Sequence, residues 1–316
     1  MPFRARRPIM FAVVGDSGAG KRTLARGCAE LLGPARVTPL CLDDYHRLDR
    51  AGRATAGLTA LHPDANHLAL MGQHARLLRQ GETIFKPTYD HAHGTFGAPE
   101  FVRPAPIVLA TGLHALYTPE LRALWDVSVF VDPDPALRDA WKRRRDTARR
   151  GYDSAAVERE LEARRADAAA YIAPQRDRAD LVIAFRAPAD GRLRDDAQLD
   201  VHLRIAHPVP LPDLEELLAG EAADALRVER RSDGVTHLAI DGALDACTAE
   251  RIEAGLHRQI APAGPLHVER LGRFQDAQGE RRSHTLALTQ LLLTYYLVQA
   301  SALAEQTEGV GEPALA

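Results

Sequence analysis

Lysine is nearly missing from this chain. Of its 40 basic residues only Lys21, Lys86 and Lys142 are lysines, and the rest are arginines. A drift that strong, alongside abundant alanine, points to a GC-rich coding bias. Surface positions accept the exchange, but an ammonium touching a phosphate is not replaced by a planar guanidinium at no cost. The three lysines are therefore candidate site residues before any motif is read. Cysteine is scarce too. Cys28, Cys41 and Cys247 show no CxxC or CxxH spacing, which argues against a zinc site or a disulfide framework and fits a reducing cytoplasm. No charge of one sign dominates. A net charge of -3 and a pI near 6.5 give no overall basic field for nucleic acid or an anionic membrane. A small anionic ligand remains allowed, because it needs only a local positive pocket.

Long apolar runs are also few. The N-terminal "PIMFAVV" is broken at Gly15-Asp16, too soon for an export signal, and reads as a first strand. Ser283 to Ala304 carries no Asp, Glu, Lys or Arg and is long enough to span a bilayer. Its Gln290, Gln299, two tyrosines and several hydroxyl side chains direct it instead to a helix packed on the protein.

What is present is a chain of 316 residues, 46% of them hydrophobic, enough for one large core or two modest ones. Apolar runs at "PIMFAVVG", "RVTPLCLDD", "PIVLATG", "WDVSVFVD" and "DLVIAF" alternate with helix-like segments. That order predicts an α/β fold, a mostly parallel sheet covered on both faces. Beyond Gly191 the texture changes to strands joined by turns, at "LDVHLRIAHPV", "ALRVERRSDGVTHLAIDG" and "LHVERLGRF". Ser232-Asp233-Gly234 is a hairpin signal, and a helix is expected from about Thr248 to Ile260.

The stretch "VVGDSGAGKRT" sets Gly15, Asp16, Ser17, Gly18, Ala19, Gly20 and Lys21 between a strand and a helical segment, the context a Walker A motif requires. Its glycines let backbone N–H groups turn onto phosphate oxygens at the positive end of the helix, with Lys21 reaching the β- and γ-phosphates. Arg22 stands where a magnesium-binding hydroxyl belongs, and a guanidinium has no lone pair to give. Thr23, one residue on and rotated by about 100°, replaces it only if the first turn shifts.

"CLDDYHRLDR" places Asp43 and Asp44 at the end of the second strand, on the sheet edge where α/β proteins bind ligands. A carboxylate there can take a proton from an attacking hydroxyl or help to hold a metal. In "DPDPALRDAWKRRRDTARRG", Asp134 and Pro135 look like a helix start and Gly151 like its stop. Lys142, Arg145, Asp146 and Arg149 fall on one face, with Arg150 beside them, as a phosphate clamp would. "FKPTYDHAHGTFGAPE" holds Lys86, Tyr89, Asp90, His91 and His93 in a polar loop suited to a hydroxylated ligand.

These pieces in this order resemble the phosphoribulokinase and uridine kinase superfamily, most nearly phosphoribulokinases of the plant and cyanobacterial type and their bacterial relatives. The residues that carry the likeness are "GDSGAGK", "CLDDYHRLDR", "LTALHPDANHLALM", "KPTYDH", "GLH", "AWKRRRDTARRG" and "YIAPQRDRADLVI", between residues 8 and 186. The resemblance implies a P-loop fold that uses ATP and Mg²⁺ to phosphorylate the C1 hydroxyl of ribulose 5-phosphate. It implies an ATP site over Gly15 to Thr23, with Asp43 as general base. Lys21, Lys142 and Arg145 would act on the transferring phosphoryl group. His46, Arg50 and Arg150 would contact the sugar phosphate, with Lys86, Tyr89, Asp90 and His91 on the substrate side.

Residues 1–190 are then the phosphoribulokinase-like domain, 191–305 a smaller α+β extension ending in the packed helix, and 306–316 a flexible tail. The reading carries a small-molecule sugar phosphate as partner, with no nucleic acid, no membrane, and a homodimer as an assembly it allows. Two departures cluster. The family's metal-binding glutamate before Gly-Leu-His is Thr111 here, so Arg22 and Thr111 remove both usual metal anchors. Thr23 and Asp43 are the substitutes left for the metal, with Asp44 or Asp16 as further carboxylates. The plant redox switch needs a cysteine where Ala19 stands, so Cys41 cannot form that disulfide. Two rival readings follow: a catalytically silent relative that binds a sugar phosphate or metal-free nucleotide and acts through a partner, and a kinase for another small alcohol, nearer to uridine kinases.

Overall fold

The computed structural model describes residues 7–150, 154–188, 198–206, 209, 212–213, 225–260, 264–276 and 279–309. Its frame is an eight-stranded sheet. Strands β1 (Ile9–Val14), β2 (Val37–Cys41), β7 (Ile107–Gly112), β8 (Val127–Val131) and β9 (Leu181–Arg186) run parallel. Then β10 (Asp200–Ile205), β11 (Leu226–Arg230) and β12 (Thr236–Ile240) continue the same sheet antiparallel. The spatial order is β11-β12-β10-β9-β8-β1-β7-β2. The α/β expectation is met, and each apolar run assigned to the parallel part forms its strand. Between β2 and β7, the segment read as one loop folds into two small ribbons. One pairs β3 (Ile84–Lys86) with β6 (Glu100–Val102), the other β4 (Tyr89–Asp90) with β5 (Thr95–Phe96).

Both faces of the sheet are covered because β1 is apolar at every position and its neighbours β7 and β8 at most of theirs. Ile9, Phe11 and Val13 of β1 enter one core, while Met10, Ala12 and Val14 enter the other. The first core lies under α1 (Lys21–Leu32), α8 (Ala246–Ile260) and α9 (His284–Gly309). The second lies under α3 (Leu68–Arg79) and the loops around the short α4 (Pro119–Arg122). Helices α2 (Arg50–Ala56), α5 (Pro135–Arg150), α6 (Ser154–Ala163) and the single turn α7 (Arg165–Asp167) gather near the C-terminal edge of the parallel strands.

The extension is not a second core. Val201, Leu203 and Ile205 of β10 and Leu291 to Leu293 of α9 belong to the same cluster as Phe11 and Val13. The proposed boundary near residue 190 therefore marks a change of strand direction within one sheet. The hairpin at Ser232-Asp233-Gly234 is present, with Gly234 at φ 82° and Arg231 N–H donating to the Val235 carbonyl at 2.9 Å. The strand expected in "LHVERLGRF" is corrected. Val268–Arg270 is a turn of 3-10 helix, Gly272 breaks the run at φ 72°, and only Arg273–Asp276 (β13) is extended, paired with Gly279–Arg282 (β14). The expected tail is shortened too. Good helix formers in "SALAEQTEG" carry α9 through to Gly309, while residues 310–316 fall outside the described part.

Helix α9 passes the length and hydropathy test for a membrane span over His284–Leu303, yet 78% of its apolar window is buried within the fold. Several of its buried polar side chains are satisfied within the fold. Thr289 and Thr294 hydroxyls donate to the carbonyls of Thr285 (2.7 Å) and Gln290 (2.8 Å), one turn back on the same helix. Gln290 reaches further. Its Oε1 accepts from Gly272 N–H at 2.8 Å, and its Nε2 donates to the Thr23 carbonyl at 3.2 Å in the first turn of α1.

Gly27 makes that approach possible, since a Cβ there would lie 2.0 Å from Gln290 Nε2. Gly27→Ala is therefore expected to destabilise the protein by about 1–3 kcal/mol, because the fully buried, doubly bonded amide has no room to yield. Urea denaturation measures this, and adding Gln290→Ala is expected to remove the steric part of the loss.

Candidate active site

The phosphate loop runs from β1 to α1 and owes its shape to glycine. Gly15 (φ 147°), Gly18 (φ 88°) and Gly20 (φ 93°) lie in backbone regions that side chains rarely adopt. Crowding adds to this at Gly15 and Gly18. A Cβ on Gly15 would meet the Val131 carbonyl at 2.6 Å, and one on Gly18 would meet Lys142 Cβ at 2.9 Å. Lys21, the first residue of α1, is buried, and its Nζ donates to the carbonyls of Gly15 (2.8 Å) and Asp16 (2.9 Å). Burial lowers its pKa against the opposing pull of Asp43 and Asp16. The ammonium thus rests on loop carbonyls, a weakly held place for a group that serves phosphate.

Helix α5 lies over this loop and delivers cations to it. Arg145 donates to Ser17 Oγ at 3.1 Å and to Asp146 at 2.8 Å. Lys142 is 2% exposed and is held by Asp146 (2.6 Å) and by Glu160 of α6 (3.1 Å). Burial pushes the Asp146 carboxyl up, but Arg145 and Lys142 outweigh it and hold it down. Two arginines that the sequence reading passed over complete the ring. Arg138 and Arg164 each take one oxygen of Asp16, at 2.9 Å and 3.1 Å. Arg138 was legible in principle, since 138, 142 and 145 share a helical face. Arg164 had no local signal and arrives only through the packing of α6. The expected start of α5 is at Pro135, but the Asp134 carboxylate meets Ala187 N–H and Arg186 instead of capping the helix. The side chains of Arg149 and Arg150 lie outside the described part, and so does Gly151 itself.

Opposite the loop, β2 ends in a 3-10 turn, Leu42–Tyr45, that separates the two aspartates. Asp44 is structural. Its oxygens accept from Lys86 Nζ (2.5 Å) and from Tyr89 N–H (2.9 Å), and Lys86 is also paired with Glu100. Lys86 was assigned to the substrate side; it is 2% exposed and neutralised by these carboxylates, so it fixes the ribbon to the 3-10 turn instead. Asp43 behaves differently. Its Oδ1 is buried without a hydrogen-bond partner. Burial favours its protonated form, but Lys21, His46, His91 and His114 together hold its pKa below the ordinary carboxylate value. An ionised, under-bonded carboxylate beside the phosphate loop can accept a proton.

Of the residues assigned to the sugar side, His46 and His91 stand near enough to Asp43 to act on its charge. His46 Nδ1 is bonded to Asn66 Oδ1 at 2.7 Å, and its ring stands edge-on to Tyr89, 4.7 Å between centroids. Tyr89 in turn touches His91 (5.1 Å) and accepts from Arg53 at 2.9 Å. Arg50 is tied to the His91 carbonyl at 2.9 Å, and Asp90 pairs with His93. Asn66 also lines a cleft of about 570 Å³ with Arg47, His62, His67, Tyr117 and Tyr171. His114, in the "GLH" motif, is 3% exposed, and neither ring nitrogen finds a partner in good hydrogen-bond geometry. Burial lowers both His46 and His114 to about 4, against the opposing charge of Asp43.

Magnesium in P-loop enzymes rests on the hydroxyl after the loop lysine and on an acidic residue nearby. Arg22 is exposed at the first position, and α1 begins at Lys21 with no shifted turn, Leu24 N–H reaching the Gly20 carbonyl at 3.2 Å. Thr111 is half-buried between Val13 and Cys41 at the strand ends. The carboxylates of Asp16 and Asp44 are consumed as described. Asp43 Oδ1 is left as a single donor, faced by Lys21 and three histidines, and coordination would spoil it as a base. The residues present do not fit the metal site that the resemblance implies.

Burying neutral histidines links the site to pH. With folded values near 4 and an unfolded value of about 6.5, the unfolded state binds more protons between them. Stability is therefore full above about pH 6.5 and lost as pH falls toward about 4. Urea midpoints are expected to drop from neutral pH to pH ~5, and the drop should shrink in His114→Gln; an unchanged slope would contradict the assignment.

Comparison with known proteins places this geometry. The family model described as the Phosphoribulokinase / Uridine kinase family matches residues 10–190. Phosphoribulokinase of Synechocystis is 43% identical over 177 residues, 56% of this chain and 53% of that protein. The chloroplastic enzyme of Mesembryanthemum crystallinum is 38% identical, over 55% of this chain and 48% of its own. A uridine kinase of Deinococcus deserti is 33% identical over 56% of this chain and 87% of its own. The chain thus spans about half the length of the phosphoribulokinases it matches. The solved phosphoribulokinase of Rhodobacter spheroides superposes with a TM-score of 0.57 at 18% identity, covering 81% of this chain and 96% of that one, which shows the shared fold. With more than half of its length matched by that model, the chain belongs to the phosphoribulokinase / uridine kinase family.

Proposed function

We propose that the protein is an ATP-dependent sugar-phosphate kinase that transfers the γ-phosphoryl group to the C1 hydroxyl of ribulose 5-phosphate. The observation that carries this reading is Asp43, an ionised carboxylate with a buried unpartnered oxygen, set between the phosphate loop and the His46–Tyr89–His91 wall. In the reaction the acceptor oxygen bonds to the γ-phosphorus, its proton passes to Asp43, and the bond to the β-phosphate oxygen breaks to release ADP. Lys21 exchanges its loop carbonyls for phosphate oxygens. Lys142 and Arg145, held in place by Asp146, neutralise the moving group, a contribution of ~10³ or more in rate for comparable arginines. His46, Arg50, Tyr89, Asp90 and His91 hold the sugar phosphate. The free state of Cys28, Cys41 and Cys247 suits a cytoplasmic setting.

Arg22 and Thr111 favour a second reading, a family member with an intact binding site and severely reduced turnover. A coupled ADP-release assay with ATP, ribulose 5-phosphate and Mg²⁺ separates the two. Turnover near the ~1 s⁻¹ typical of slower kinases supports the first reading, and a rate several decades lower, unrescued by Mn²⁺, supports the second. Asp43→Asn is expected to lower kcat by ~10²–10⁴, as loss of a general base does. The KM for ATP should stay within about twofold, checked in the same assay.

A further inference from the structure

Arg22 sits at the second position of α1, at the mouth of the loop whose function is to hold a polyphosphate. Its side chain is exposed and, among the described residues, meets no carboxylate and makes no hydrogen bond. The other guanidinium groups around the loop are engaged. Arg138 and Arg164 are paired with Asp16, and Arg145 with Asp146. Lys21 is the other loop cation without a carboxylate at contact distance, and it rests on carbonyls alone. Lys21 has the charges of Asp43 and Asp16 acting on it, which leaves Arg22, next to it in the chain, as the loop cation without a carboxylate partner among the described residues, at a loop from which both usual metal anchors have gone. The carboxylates that could have rebuilt a metal site, those of Asp16 and Asp44, are each held by partners on both oxygens.

A metal ion in such a site draws together the β- and γ-phosphate oxygens and cancels part of their charge. A guanidinium can do both, because its planar donors match phosphate oxygens two at a time. A fixed cation there also changes which form of the nucleotide is preferred. Magnesium already coordinated to ATP would be set against Arg22, like charge against like charge, with no hydroxyl to complete its shell. We propose that this chain binds ATP as the metal-free anion, with the Arg22 guanidinium filling the place of the divalent ion beside the β- and γ-phosphates. The inference rests on the nucleotide-binding part of the proposed function and deepens it.

Isothermal calorimetry of the full chain with ATP tests it, once in excess EDTA and once in excess Mg²⁺. The expected result is binding in EDTA at least as tight as in Mg²⁺. Arg22→Ser, an exposed position whose folding a thermal melt verifies, should weaken binding in EDTA at least tenfold. Arg22→Lys, which keeps the charge, should recover most of that loss. The double variant Arg22→Ser/Thr111→Glu should reverse the preference, binding ATP more tightly with Mg²⁺ than without. Binding that requires Mg²⁺ in the unaltered protein, or an Arg22→Ser variant with unchanged affinity in EDTA, would overturn the inference while leaving the kinase reading in place. Failure to bind ATP under either condition would overturn both.

Discussion

The catalytic edge of this protein depends on how closely the phosphate loop is pressed against helix α5. Gly18 comes so near that an added Cβ would stand 2.9 Å from Lys142 Cβ and 3.2 Å from the Arg138 carbonyl. At that distance the charges of the helix and the loop must be reconciled within one network. Asp16 is clamped by Arg138 and Arg164, Ser17 is bonded to Arg145, and Lys142 is sealed beneath by Asp146 and Glu160. Breaking one partner of such a buried pair costs about 3–5 kcal/mol, because the other is left uncompensated. The cations are thereby held near the phosphates before any substrate arrives, which is where preorganised electrostatic catalysis gains its advantage.

The two halves of the site are built on different principles. The phosphate side is a web of charges that can be re-sorted when an anion enters. The sugar side is a wall of rings and neutral imidazoles, with His46 fixed by Asn66 and flanked by Tyr89 and His91. Asp43 stands where the two meet, its pKa held below the ordinary carboxylate value against its burial, chiefly by the Lys21 ammonium. Arg22 and Thr111 belong to the loop side of the site, one in the first turn of α1 and the other at the end of β7.

Much of this was legible in the letters. The parallel strands, the loop at Gly15 to Lys21, the hairpin at Gly234 and the cationic face of α5 each follow from local periodicity or from residues with one conformational use. The scarcity of lysine marked three positions. Two lie on the phosphate side, but Lys86 proved to be a buried strut for Asp44, since composition records that an ammonium is needed and not what it meets. Arg164 and the Asn66 clamp on His46 were out of reach of local reading, because their partners lie 148 and 20 residues away. The unity of the sheet was hidden for a related reason. A strand's sequence records which faces are buried, and β10 carries the same alternation whether it starts a new sheet or extends an old one.

That continuity changes what counts as a unit. The family likeness stops at residue 190, but β9 is hydrogen-bonded along its length to β10, and α1 is roofed by α9 through Gln290. A chain cut at the end of the family match would present β9 as a raw, apolar edge and strip the cover from the helix that begins at Lys21. Such an edge is a template for pairing with other chains. In this chain, then, the matched segment relies on the downstream strands to pair the β9 edge and to complete its core.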